Sequence, residues 1–112
     1  DCVLPTRLAR HAHIYTSVGR LNLLNARHRK DSGPLDPACA CSTCRNVSRA
    51  YLHHLFRSRE LLGPRMATLH NLTYYAHLMQ RIRLAIPAGT LPALISELEA
   101  LYAGGLPAGD TP

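Results

Sequence analysis

The segment Cys39-Ala40-Cys41-Ser42-Thr43-Cys44 puts three thiols within six residues, and His70 follows 26 positions after the last of them. Thiolates and imidazoles are favoured ligands of zinc. A short loop can fold three sulfurs around one ion while a distant nitrogen completes the tetrahedron. Four protein ligands leave no position open to water, so the set implies one structural Zn²⁺ and not a catalytic metal. His53 and His54 lie closer to the cysteines in sequence. They fall within an amphipathic helical pattern, where capping or packing accounts for them. Cys2 belongs to a different segment. The alternative is three free buried thiols.

The elements that must position these ligands follow from hydrophobic spacing. Residues 1–12, with Pro5, Arg7, Arg10 and His11, read as the end of a strand running into an irregular loop. Residues 13–65 read as one subdomain. Within it, His13 to Ser17 and Arg20 to Leu24 flank Val18-Gly19 as a short hairpin, and Asn25 to Asp31 suit a single helical turn. Ser32 to Pro37 form a rigid loop feeding the cysteines. Val47, Tyr51 and Leu55 share a helical stripe that runs to about Leu62. Gly63-Pro64 stops that helix, and Pro64 suits the first turn of the next. In residues 66–86, Leu69, Leu72, Ala76, Met79, Ile82 and Ile86 recur at steps of three and four, which predicts the core face of a long helix carrying His70. Residues 90–103 form a last amphipathic helix, with Leu91, Leu94, Ile95, Leu98, Leu101 and Tyr102 on one side, and 104–112 a Gly/Pro-rich tail. Asp31 and Asp36 are expected in surface loops.

The 112 residues suit one small domain, with 46% hydrophobic residues, no tryptophan and a single phenylalanine, Phe56. An aliphatic core of this size gains from a metal staple. The net charge is +6, and twelve of the thirteen cations are arginine. Eleven Lys/Arg against four Asp/Glu lie in residues 1–65, whereas 66–112 hold two against three. Arginine's planar fork matches phosphate, so a nucleic acid partner is favoured over a merely solvated surface. No apolar run is long enough to span a membrane, and no signal peptide pattern is present. Cysteines at metal spacing argue for a reducing compartment, the cytoplasm being the simplest. The opening at Asp1-Cys2-Val3-Leu4-Pro5 implies the C-terminal piece of a larger protein.

Several ordered motifs resemble the C-terminal part of the tRNA-guanine transglycosylase family. They are Asp1-Cys2-Val3-Leu4-Pro5-Thr6-Arg7, Leu21-Asn22 with Asn25-Ala26-Arg27, Pro34-Leu35-Asp36, the Cys39/Cys41/Cys44 cluster, Ser48-Arg49-Ala50-Tyr51-Leu52-His53-His54-Leu55, and His70-Asn71-Leu72 with Tyr75. The resemblance runs from Asp1 to about Ile86. It implies an α/β fold: the C-terminal part of a (β/α)8 barrel, with a zinc subdomain inserted after the last strand and the long helix as the barrel's last. The fragment itself is then mostly helical, with a short β-hairpin. The implied activity is exchange of guanine at the tRNA wobble position for queuine or its aminomethyl-deazaguanine precursor.

By the same resemblance, Asp1 is the nucleophile, at the strand end where barrel enzymes place their chemistry. Thr6, Arg7, Leu8, Ala9 and Arg10 are the segment that reads the wobble region of tRNA. Cys39, Cys41, Cys44 and His70 are the zinc ligands, and the protein is a cytoplasmic homodimer. A carboxylate fits the chemistry, because displacing a base from ribose builds positive charge at the anomeric carbon. The second carboxylate and the base pocket lie upstream in the family, so this piece alone is expected to be inactive. A different class of reading is a non-catalytic zinc-dependent RNA-binding module or accessory subunit.

Overall fold

The computed structural model describes residues 3–103; Asp1, Cys2 and the tail from Gly104 lie outside them. The chain runs α1 (Leu4–Arg10), β1 (His13–Thr16), β2 (Gly19–Asn22), a 3₁₀ turn (Ala26–His28), α2 (Ser42–Asn46), α3 (Arg49–Arg57), α4 (Leu62–Ala88) and α5 (Leu91–Tyr102). The long α4 is the spine, and it touches α1, β1, α2, α3 and α5. Among the described residues the sheet is one antiparallel pair, in which His13 faces Asn22 and Thr16 faces Gly19.

Where a loop is expected, α1 is a helix. Pro5 sits in its first turn, where the missing N–H would have no partner anyway. Ala9 is fully buried on its inner side. The helix is ended by Ala12, held at φ 66°, whose carbonyl accepts from Leu23 N at 2.9 Å. The hairpin turn falls on Ser17-Val18, one residue before the expected place. Gly19 opens β2 at φ +117°, a conformation that L side chains rarely adopt.

The expected single helix after Cys44 is two. Val47 and Ser48 are extended, and Ser48 Oγ accepts from Tyr51 N at 3.1 Å to cap α3. The break is tied to the preceding loop. Arg49 N and Ala50 N donate to Gly33 O and Asp31 O, both at 2.8 Å, and the Arg49 guanidinium reaches Pro34 O and Leu35 O at 3.0 and 2.9 Å. The α3–α4 crossing is close at Gly63, where a Cβ would lie 3.2 Å from Leu55 Cβ.

Pro64 takes its expected place in the first turn of α4, which ends at Gly89 in the left-handed region, φ 72°. The face of α4 turned to this chain's core is not the predicted stripe. Gly63, Ala67, His70, Asn71 and Ala85 are buried, whereas Leu69, Leu72, Met79 and Ile86 are 45, 46, 44 and 60% exposed. Period alone identifies an apolar stripe without saying what covers it. Here a small and polar stripe is selected by the hairpin and cysteine loop that pack on it. Midway along α4, Tyr15 stacks on Tyr74 and meets Tyr75 and Tyr102 edge-on.

Candidate metal centre

Each ligand is delivered by a local device. Cys39 leaves the preceding loop with its N–H donated to Asp36 O at 3.0 Å. Its Sγ accepts from Cys41 N at 3.4 Å, and Cys41 Sγ accepts from Cys44 N at 3.4 Å as the N-cap of α2. These N–H···S bonds curl the segment so that its sulfurs converge, and they favour thiolate charge. Thr43 Oγ1 donates to Met66 O at 2.8 Å, which clips the curl against α4 just below His70.

His70 is fully buried. Its Nε2 lies 2.6 Å from Tyr15 O, and since a carbonyl only accepts, Nε2 carries the proton. The other nitrogen, Nδ1, therefore presents its lone pair to Cys44 Sγ at 3.3 Å and Cys41 Sγ at 3.5 Å. Orienting a ligand imidazole by a hydrogen bond from its second nitrogen is the usual arrangement in metal sites. Burial, only partly opposed by the Tyr15 carbonyl and Asp36, lowers the His70 pKa and keeps the ring neutral.

One ligand atom from each of Cys39, Cys41, Cys44 and His70 lies within 4.8 Å of all the others. Ligands about 2.0–2.3 Å from a shared tetrahedral ion stand roughly 3.5–3.8 Å apart, so the cluster is of the right size to hold a metal ion. Burial pushes the Cys39 and Cys44 thiols up, and the neighbouring sulfurs add to this. A divalent ion reverses that cost by binding the deprotonated forms.

Two residues behind the ligands complete the centre. Asp36, expected at the surface, is 3% exposed. Its carboxylate accepts from Ser17 N and Oγ at 2.7 and 2.8 Å and from Ala38 N at 3.0 Å. Burial alone would raise its pKa, but the hydrogen bonds from Ser17 and Ala38 hold it below the usual carboxylate value. Asn71, next to the metal-facing histidine, is fully buried. Its Oδ1 accepts from Tyr15 N at 3.1 Å, and its Nδ2 donates to Pro5 O and His13 O, each at 3.1 Å. Asn71 thus fastens α1 and β1 to the helix that bears His70. The sequence offers His70-Asn71 as a motif but gives the amide no task. A polar residue beside a ligand on the same helix was the available signal.

The other sequence-derived candidates lie on or before α1. Arg7 and Arg10 are exposed, Thr6 and Leu8 half-buried, and Ala9 is enclosed in the core. Thr6 Oγ1 donates to Val3 O at 3.0 Å. Asp1 lies outside the described residues. His53 does not join the metal cluster: it is buried with Nδ1 2.6 Å from Leu23 O, a packing role.

A three-sulfur, one-nitrogen knuckle closed by a spine helix, with an arginine-bearing helix fastened to the same spine, defines a mostly helical segment built around a candidate metal centre. A family model described as "Queuine tRNA-ribosyltransferase" matches residues 1–104, and the chain belongs to that family. The queuine tRNA-ribosyltransferase of Shewanella sp. strain ANA-3 is 56% identical over 97 residues, covering 87% of this chain and 26% of the relative. That of Shewanella frigidimarina is 51% identical over 107 residues, covering 96% of this chain and 29% of the relative. The chain thus spans little more than a quarter of the length of the curated relatives it matches.

Proposed function

We propose that this chain serves as the C-terminal part of a tRNA-guanine transglycosylase. The enzyme would exchange guanine at the anticodon wobble position for a queuine-type 7-deazaguanine. The supporting observation is the convergence of His70 Nδ1 on Cys41 and Cys44, with Asn71 binding the same helix to α1. The ion held by Cys39, Cys41, Cys44 and His70 is zinc, because three thiolates and one imidazole in a small tetrahedral volume suit it best. Bound there, it supplies a cross-link and no catalytic chemistry.

In this reading Asp1 attacks the anomeric carbon as the glycosidic bond to guanine breaks, forming a ribosyl ester. The incoming base then opens the ester, so two inversions give net retention. Proton transfer falls to a second carboxylate elsewhere in the barrel. Arg7 and Arg10, three positions apart on the exposed side of α1, hold the RNA strand near the wobble nucleotide through phosphates or base edges. The remaining barrel units cover the leucine-rich outer face of α4. The complete protein acts as a cytoplasmic homodimer.

The deciding experiment is covalent trapping of tRNA by a complete enzyme carrying this segment. The adduct is expected with Asp1 and absent in Asp1→Asn; an adduct that persists in the variant removes Asp1 from its role. Metal analysis of the same protein should give one zinc per chain.

A further inference from the structure

An open cleft of about 1060 Å³ lies between the end of α1 and the end of α3. Arg10, His11 and His13 line one wall, and Arg57 and Arg59 line the other, with Asn25 between. Among the described residues, no carboxylate lines it. We propose that this cleft is a phosphate-binding channel for the RNA backbone, continuing the track that Arg7 and Arg10 begin. This inference rests on the tRNA reading above.

Three observations carry it. The first is how the guanidinium groups are held. Arg57 Nη2 donates to Leu24 O at 2.7 Å, which fixes one edge of the fork and leaves its other N–H groups for an anion. The second is how the two helices end. Ala12 at φ 66° and Arg59 at φ 57° are the positive-φ non-glycine residues among those described. Ala12 sits between His11 and His13 on one wall, and Arg59 lines the other. Both residues close a helix, Ala12 N donating to Ala9 O at 3.1 Å and Arg59 N to Phe56 O at 3.1 Å, so the turns that end α1 and α3 are what bring these cations to one cleft. The third is shape and chemistry. The cleft is wide and open, with three arginines and two histidines among its lining residues, which suits a charged polymer better than an enclosed small molecule. Arg10 belongs both to the cleft and to the exposed side of α1, so one strand passing α1 would enter it directly.

The test is tRNA binding as a function of salt, using a complete enzyme carrying this segment. Arg59→Gly removes a cation while relieving the left-handed backbone, so the fold is retained; Arg57→Gln with Arg59→Gly removes two cations. The expected result is a loss of affinity on the order of tenfold for the double variant at 0.1 M salt, with metal content unchanged. The slope of log affinity against log salt should shrink by about 0.9 per lost phosphate contact. Arg83→Gln, on the exposed surface of α4, should leave the slope as it is. A folded double variant with wild-type affinity and slope overturns the channel. So does an Arg83→Gln variant that loses as much, since the effect would then be net charge alone. Wild-type enzyme that does not bind tRNA overturns the enzymatic reading as well, which separates the two failures.

Discussion

The two ends of α4 are held by different physics. Near its start, His70 and Asn71 are fully buried, and their polar atoms meet carbonyls, an amide or sulfurs from α1, β1 and the cysteine loop. Near its end, Ala85 and Leu94 are the buried apolar residues, and Leu84 and Ile86 are 65 and 60% exposed. What joins that end to α5 is an exposed Arg81–Glu97 pair at 2.8 Å, whereas the tyrosine cluster that holds the far end of α5 lies midway along α4. The first end is over-determined by directional bonds, each of which would leave a buried polar group unsatisfied if broken. The second relies on non-directional apolar contact and presents more apolar surface than it uses. A metal ion held at the first end would fix several elements at once.

The comparison can be broken most severely at the ligands. Cys41→Ser or His70→Ala should release the metal and unfold the braced end. Structural zinc contributes on the order of 10 kcal/mol in small domains, far more than a typical side-chain contact. Amide hydrogen exchange should show lost protection around the hairpin and α2 before the end of α4. Loss spread evenly along the chain would mean that the two ends form one cooperative unit.

Asn71→Ala comes next. It removes three hydrogen bonds and strands buried backbone groups of Pro5, His13 and Tyr15, at a cost of roughly 3 kcal/mol in denaturant unfolding. Metal should stay bound while protection of α1 falls. A smaller effect, about 1–3 kcal/mol, is expected for Asp36→Asn, which cannot accept all three bonds from Ser17 and Ala38.

That deficit should depend on pH with a definite sign. The Asp36 carboxyl titrates below its ordinary value of 3.8, so its stabilisation is complete above that value. It fades as pH falls through the depressed native pKa. Unfolding of wild type and Asp36→Asn should therefore converge under acid conditions. A gap that widens there would refute the depressed titration.

The smallest effect belongs to the distal end. Arg81 and Glu97 side chains are 39 and 58% exposed, so Arg81→Ala should shift the melting temperature little, by the equivalent of at most about 0.5 kcal/mol. A larger loss would show that this surface pair, and not the tyrosine cluster, holds α5 in place.

Much of the centre was legible in the chain itself because its information is local. Three cysteines in six residues can curl only so many ways, and His70 stands out as an imidazole near the start of a long periodic stretch. The hairpin and the long helices were legible for the same reason, since a period of two or 3.6 is a short-range property. Most features that the sequence misplaces depend on distant partners. Helix α1 is tied down by Asn71, 66 positions from Pro5; the break before α3 answers to Gly33 and Asp31; Asp36 is buried by Ser17. The outward turn of Leu69, Leu72 and Met79 reflects which elements of this chain pack on α4, and no period encodes that.

Residue chemistry and spacing by themselves determined a sulfur-rich ligand set, a basic arginine-rich first half and an order of helices around a hairpin. Tertiary structure alone decided which nitrogen of His70 faces the sulfurs, which stripe of α4 is covered, and that Arg10 and Arg59 share a cleft. Ligand type is a property of single side chains, whereas orientation and coverage arise when segments far apart in the chain compete for the same surface.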